Sequence, residues 1–559
     1  MIWLYSITVS GGLMLLKNVK VVRPKTTKIQ KRNGAGYVYQ VIDKSYKKDK
    51  KYTVENRKLI GKMIDEEWMV PNEFFEQYYP DVSVEQDMPS FSDTLRIGSF
   101  LVIQKIFRDL QIEDILTSLF EESSYFIEDI VSYMITNESC TFQYYSNFMR
   151  NHPVLDSKVH DDTQISRLLK YNIKEEDIHL FMQAWNRMNT TKECIYVGYD
   201  STNFNTNAYG IELADYGHPK VDEGLPQYNL AYAVKQSDST PLFYELYDGS
   251  VIDNTELEIM LEEAKEFGHE KIGVLMDRGY ISEKNVKALR DKGYEYILMM
   301  KQNQKICQEI IEEYGPAVQA LEGYYISEHE VYGMTVKKEL YGEEVSIHVY
   351  YDDIKASEEK IALMSRYNMW EKELEKKLER KLTTEGEVKK YKNAFKLKFD
   401  SNGYLMAYQR NSRYIKEELR KIGFFFILTS EDMDATKTLD IYRGRDNIEK
   451  MFRSLKSGID FNKARVHTTE SLKSKVFITF IAMIVRNEMF QKMEELRKKN
   501  RKAYTVPGIL SELENIECTR NSVGKYRRKY ALTSKQKQIL KQFEMDEKYI
   551  DAGISKFSY

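Results

Sequence analysis

The chain has 559 residues, 42% hydrophobic and 30% charged, with a net charge of −3. That length excludes a single compact core and calls for three or four folded regions. The near-neutral balance excludes a uniformly basic nucleic-acid binder, so positive charge must be concentrated locally if it is to meet phosphate. Four cysteines (Cys140, Cys194, Cys307 and Cys518) are far apart and have neither redox nor metal-ligand spacing. They read as reduced core residues of a cytoplasmic protein.

The opening Met1 to Leu16 is apolar but too short to span a bilayer as a helix, and no positive residues lead it as in a signal peptide. Met14 is an alternative start. Residues 17–62 hold fifteen Lys or Arg against three Asp or Glu, interleaved with Tyr37, Tyr39, Tyr46 and Tyr52. Residues 35–62 alternate apolar and polar positions about a Lys- and Asp-rich turn, which predicts a β-hairpin. The region 1–90 is therefore expected to be a basic unit and a candidate DNA contact; the alternative is a solvated hairpin. Residues 91–190 follow a helical period, including Leu101, Ile103, Ile106, Phe107, Ile112, Ile115 and Leu116.

From residue 191 to 301 the predicted order is strand (194–200), strand (228–235), strand (241–247), helix (254–266), strand (271–277), helix (282–292) and strand (294–300). Such an order makes an α/β protein with a mixed sheet. Asp200 and Asp277 each end an apolar run and precede turn-forming residues, so each is either an ordinary cap or a functional acid. Residues 302–422 are expected to be an inserted, mainly β domain with a charged helix near Trp370. Gly423 to Thr429 then returns to the core as a buried strand. The second part of the core spans 423–495, including Phe477 to Val485, expected as a buried helix against the sheet. Residues 496–559 form an expected helical tail with a second basic run, Lys525 to Lys529.

Tyr442, Arg445, Glu449 and Lys456 stand at spacings of three, four and seven. On one continuous helix they share a sector of roughly 60°. Ile448, Met451, Phe452 and Leu455 fill the neighbouring sector as a docking stripe. The bland alternative is a solvated face with an Arg445–Glu449 pair worth a few tenths of a kcal/mol. With Asp200 and Asp277, Glu449 makes a set of three carboxylates. Such a set suits Mg²⁺ or Mn²⁺ and phosphodiester chemistry.

The order Asp200, Asp277, Glu449, with Tyr442, Arg445 and Lys456 around the glutamate, resembles the DDE transposases of bacterial insertion sequences. More narrowly it is similar to the insertion sequence 4 superfamily type, marked by Tyr-x2-Arg-x3-Glu-x6-Lys. Tyr216 to Leu230 is a looser match to that family's stretch between its first two strands. The resemblance implies a ribonuclease H-like core interrupted by a β-rich insertion that contacts the element end. It implies two Mg²⁺ (or Mn²⁺) ions held by Asp200, Asp277 and Glu449, with Tyr442, Arg445 and Lys456 on DNA. Double-stranded DNA, both element ends and target, is the implied partner. A homodimer in the DNA complex and no membrane association complete the expectation. The alternatives are a ribonuclease H-like nuclease without strand transfer and a catalytically inactive, transposase-derived DNA-binding protein.

Overall fold

The computed structural model describes residues 19–557 except 33, 48–51, 73, 81, 83–84, 87–91, 157–159, 192–193, 218–223, 252, 321, 381–382 and 521–524. The apolar opening, the Lys- and Asp-rich turn of the first hairpin and part of the Tyr216 to Leu230 stretch lie outside the described residues. The chain divides into two compact units. One takes in residues to Trp185, Thr206–Glu212 and Arg453 onward; the other holds Asn186–Asn205 and Leu213–Phe452.

The second unit is built on a nine-stranded sheet. Its first strands are β1 (Ile195–Asn205), β2 (Gln227–Lys235) and β3 (Pro241–Asp248). Helix α1 (Asp253–Glu266), β4 (Ile272–Met276), α2 (Glu283–Asp291) and β5 (Glu295–Met299) follow. Then come α3 (Lys305–Ala320), β6 (Tyr325–Ile326), β7 (Val331–Leu340) and β8 (Glu343–Tyr351). Helices α4 (Asp353–Glu379) and α5 (Ser412–Lys421) precede β9 (Phe424–Thr429). The spatial order is β3-β2-β1-β4-β5-β9-β8-β7-β6. β1, β4 and β5 run parallel, and every other neighbouring pair is antiparallel. All five residues of β4 and eight of nine in β2 are buried, as strands covered on both faces must be.

Two expectations change here. β1 does not stop at Asp200 but runs on to Asn205, because Ser201 to Asn205 keep pairing with β2. Residues 302–422 are helix-rich rather than mainly β, and β6–β8 extend the main sheet through β9. Their apolar faces find partners in that sheet, while the ladder of Glu and Lys in 353–379 favours α4. α4 and the hairpin Phe395–Phe399/Leu405–Arg410 enclose a separate core of Leu363, Tyr367, Leu374, Tyr391, Phe395 and Leu405. Trp370 meets Tyr367 and Tyr391 edge-on there, as a core aromatic.

In the first unit, Ala35–Lys47 pairs antiparallel with Tyr52–Met63 inside a six-stranded sheet, around Val21, Val38, Ile60, Met69 and Phe75. The described elements between residues 98 and 185 of this unit are all helical. The 496–559 segment is not purely helical, since Glu517–Arg520 pairs with both Thr94–Arg96 and Tyr526–Arg528. Phe477 to Val485 lies in helix Thr469–Lys492 and is buried throughout. Within its unit it packs among helices, with Phe477 against Phe120 and Phe181 at 5.8 and 5.1 Å. A helix apolar all round needs neighbours on several sides. Among the described residues no helix is long and apolar enough to cross a membrane.

Candidate active site

Strand alternation places Tyr196, Gly198 and Asp200 on one face of β1, and Gly273, Leu275 and then Asp277 on the same face along β4. Their relative height is set by a contact across three strands. Tyr196, Gly273 and Glu295 are direct partners on β1, β4 and β5. Tyr196 reaches across Gly273 to donate from its hydroxyl to Glu295 Oε2 at 2.9 Å. A Cβ on Gly273 would come within 2.4 Å of the Tyr196 ring. Only a glycine lets the ring cross at that point. Leu275 partners Gly198 in the same register. Asp200 lies two residues beyond Gly198 within β1, and Asp277 two residues beyond Leu275, just past the end of β4.

Each aspartate is also locally braced. Asp200 Oδ1 accepts the Ser201 N–H at 2.9 Å. Asp277 Oδ1 accepts the Gly279 N–H at 2.7 Å, the turn-capping role expected of a strand-end aspartate.

The same face is covered by α6 (Ala435–Arg443) and α7 (Asp446–Arg453). Leu439 and Tyr442 of α6 pack with Leu275 and Ile297, and Tyr196 borders that cluster. Arg443 donates to His329 Nδ1 at 2.9 Å, so His329 Nε2–H faces Asp440 at 2.5 Å and pins the helix. Ile448 of α7 sits over Gly198. Phe452 meets Tyr232, the partner of Asp200 on β2, edge-on at 5.9 Å. Ile448, Met451, Phe452 and Leu455 are all buried, which is the stripe that the sequence predicts.

The signature residues do not share one continuous helix. α6 ends at Gly444, and the link is tightened by the bonds Arg445 N–H to Tyr442 O (2.9 Å) and Ile448 N–H to Arg445 O (3.0 Å). These are i to i+3 bonds, the tighter turn common where helices end. A Cβ on Gly444 would strike Gln236 at 2.2 Å. The joint is fastened beside it, where Asn447 Nδ2 donates to Gln236 O at 3.0 Å. After α7 the backbone loosens into a π-helical turn, Ser454–Gly458, which carries Lys456. Lys456 falls in the first unit, and the other five candidate residues fall in the second.

Arg445 is the electrostatic centre. Its Nη2 lies 2.6 Å from Glu449 Oε1 and its Nη1 3.9 Å from Asp200 Oδ2. Burial opposes its charge, but Tyr442, Asp200, Glu449 and Asp277 together hold its pKa above the ordinary arginine value. Burial pushes the Tyr442 phenol up to about 12, against the lowering effect of Arg445. The guanidinium carbon is 5.9 Å from the Tyr442 ring centre.

The carboxylates that act on Arg445 offer only hard oxygen donors, a ligand type that suits Mg²⁺ or Mn²⁺ in kind. Among the described residues no three Asp, Glu, His or Cys side chains are gathered as a ready metal-ligand group. Tyr196, Gln236, Gly273, Glu295 and His329 are positioning residues that sequence reasoning missed. Their partners are non-local, and no spacing announces them.

A profile of the family described as "Transposase DDE domain" matches residues 197–485. No curated protein matches the chain. Among solved structures, a cryo-EM piggyBac transposase synaptic complex with hairpin DNA is similar over 83% of this chain and 75% of that one. The identity is 10% and the TM-score 0.34.

Proposed function

The chain belongs to the family of transposases with a DDE domain, and on that premise we propose that it is the transposase of an insertion sequence. In this reading it cuts at element ends and joins them to target DNA. The observation that supports it is that Arg445 pairs with both Asp200 and Glu449, while Asp277 acts on the same charge. The order β3-β2-β1-β4-β5, with β2 alone antiparallel, supports a ribonuclease H-like core for that site.

Asp200, Asp277 and Glu449 are assigned to two Mg²⁺ or Mn²⁺ ions. Such ions, when bound, activate an attacking oxygen and stabilise the leaving oxygen of an in-line displacement. Arg445 grips phosphate, its planar fork suiting two oxygens at once. Tyr442, kept protonated by burial, offers that phosphate a hydroxyl donor. Lys456 is assigned to the DNA backbone as a point charge. These contacts position DNA without reading its sequence, so end recognition is assigned to the basic N-terminal sheet and to the 302–422 segment. A homodimer on double-stranded DNA belongs to the same proposal.

The test is cleavage and joining of labelled element-end DNA with Mg²⁺, comparing the native chain with Glu449→Ala. Joined products that fall at least about a hundredfold in the variant are expected. Cleavage without joining would leave a nuclease instead. DNA binding with neither reaction, indifferent to the substitution, would remove the catalytic assignment.

A further inference from the structure

Arg445 occupies a place among the carboxylates that a cation can contest. Its guanidinium contacts Glu449 at 2.6 Å and Asp200 at 3.9 Å, and Asp277 acts on the same charge. Its side chain is 15% exposed, whereas that of Glu449 is 51% exposed. The acid that meets solvent is thus tied to a largely covered base. Arg445 also projects from the two-residue joint between α6 and α7, not from the middle of a helix. A guanidinium has two strong partners of fitting geometry, carboxylate and phosphate. It cannot serve both fully, and a divalent cation drawn to the same carboxylates is repelled by it.

We infer that Arg445 is an exchangeable counter-ion. Without DNA it neutralises Glu449 and Asp200 and holds divalent cations off. When a DNA phosphate arrives it transfers to that phosphate and gives up its ion pairs with both carboxylates. Metal and DNA then bind with positive cooperativity, each tightening the other by the same factor. This rests on the proposed reading of Asp200 and Glu449 as metal ligands. No bond is made or broken in the exchange; one ion pair replaces another.

The test is Mn²⁺ titration of the full-length chain, followed by electron paramagnetic resonance of the free ion. It compares the native chain, Arg445→Gln, Arg445→Lys and Glu449→Gln, each without and with a short element-end duplex. Removing one elementary charge from beside the ligands is expected to tighten Mn²⁺ binding of Arg445→Gln about tenfold without DNA. Arg445→Lys, which keeps the charge, should stay near the native affinity. The duplex should tighten Mn²⁺ binding by the native chain and not by Arg445→Gln. Strand transfer by Arg445→Gln should fall although it holds the metal better, an opposition that a merely structural role would not produce.

Equal Mn²⁺ affinity in native and Arg445→Gln chains would overturn the inference. So would a duplex that leaves native affinity unchanged, an arm that needs no variant to fold. If Glu449→Gln abolishes Mn²⁺ binding in either case, only the counter-ion role is lost. If Glu449→Gln leaves Mn²⁺ binding intact, the metal-ligand assignment itself is wrong, and the inference falls with it.

Discussion

Glu128 has no exposed surface, and neither of its carboxylate oxygens meets a hydrogen-bond donor among the described residues. Burial pushes its pKa from 4.5 up to about 8, with Glu113 and Asp129 adding to the effect. An acid raised in this way is protonated in the fold and ionised in the unfolded chain between those two values. Its contribution to stability is therefore complete below about pH 4.5 and is lost as pH rises to about 8. Glu128→Gln should match the native chain near pH 4.5 and exceed it by about 4 kcal/mol at pH 8.5. Thermal or denaturant unfolding at both pH values checks this, and a native-to-variant difference that ignores pH would clear Glu128 of the role. The acids of the candidate site were singled out from the sequence because each stands beside a pattern, a buried run or an apolar stripe. Glu128 was not, since nothing in Ile127-Glu128-Asp129-Ile130 distinguishes a buried acid from a solvated one.

At the scale of elements, Tyr196, Gly273 and Glu295 act as one device. Tyr196 is four residues before Asp200 and Gly273 four before Asp277, so the crossing that seats the ring fixes the register of the two strands that lead to them. Gly273→Val has no room beneath the ring. It should cost about 1–3 kcal/mol in unfolding free energy through overpacking, and cleavage should fall further than the loss of folded protein explains. Tyr196→Phe removes only the hydroxyl bond and should cost about 1 kcal/mol. Undiminished activity in a folded Gly273→Val chain would separate register from catalysis. The strands themselves were readable to within a few residues, because two-sided burial leaves continuous apolar runs. The break in the signature helix was not: Tyr442 to Lys456 keeps a helical period throughout, and the stop comes from Gly444 abutting Gln236 on a distant strand end.

For the whole molecule, a net charge of −3 conceals a basic amino-terminal region, and its surface is partly self-neutralised. Glu55 alone pairs with Lys28, Lys44 and Arg57, and the Lys28 contact leads in holding its carboxyl down at about 2. The carboxy-terminal basic run is likewise engaged, Arg528 with Asp551 and Glu547, and Lys529 with Glu517. Lys31 and Arg32, beside the turn that joins Lys28–Arg32 to Ala35–Lys47, are exposed. If this sheet meets DNA, Lys31→Gln with Arg32→Gln should reduce the slope of log affinity against log salt by about 2. An unchanged slope would assign the backbone contacts elsewhere.

Local pattern by itself determined the mixed α/β core and the helical stretch after residue 91, and it singled out Asp200, Asp277, Arg445 and Glu449 as candidates. Those properties depend on side-chain period and residue type, which neighbours along the chain already specify. Tertiary structure alone decided that β1 continues past Asp200, that β6–β8 join the main sheet, and that the signature is carried on two helices. It alone placed Arg445 between Asp200 and Glu449. Strand partners, ring crossings and ion pairs depend on groups brought together from far along the chain, and no spacing within a single segment encodes them.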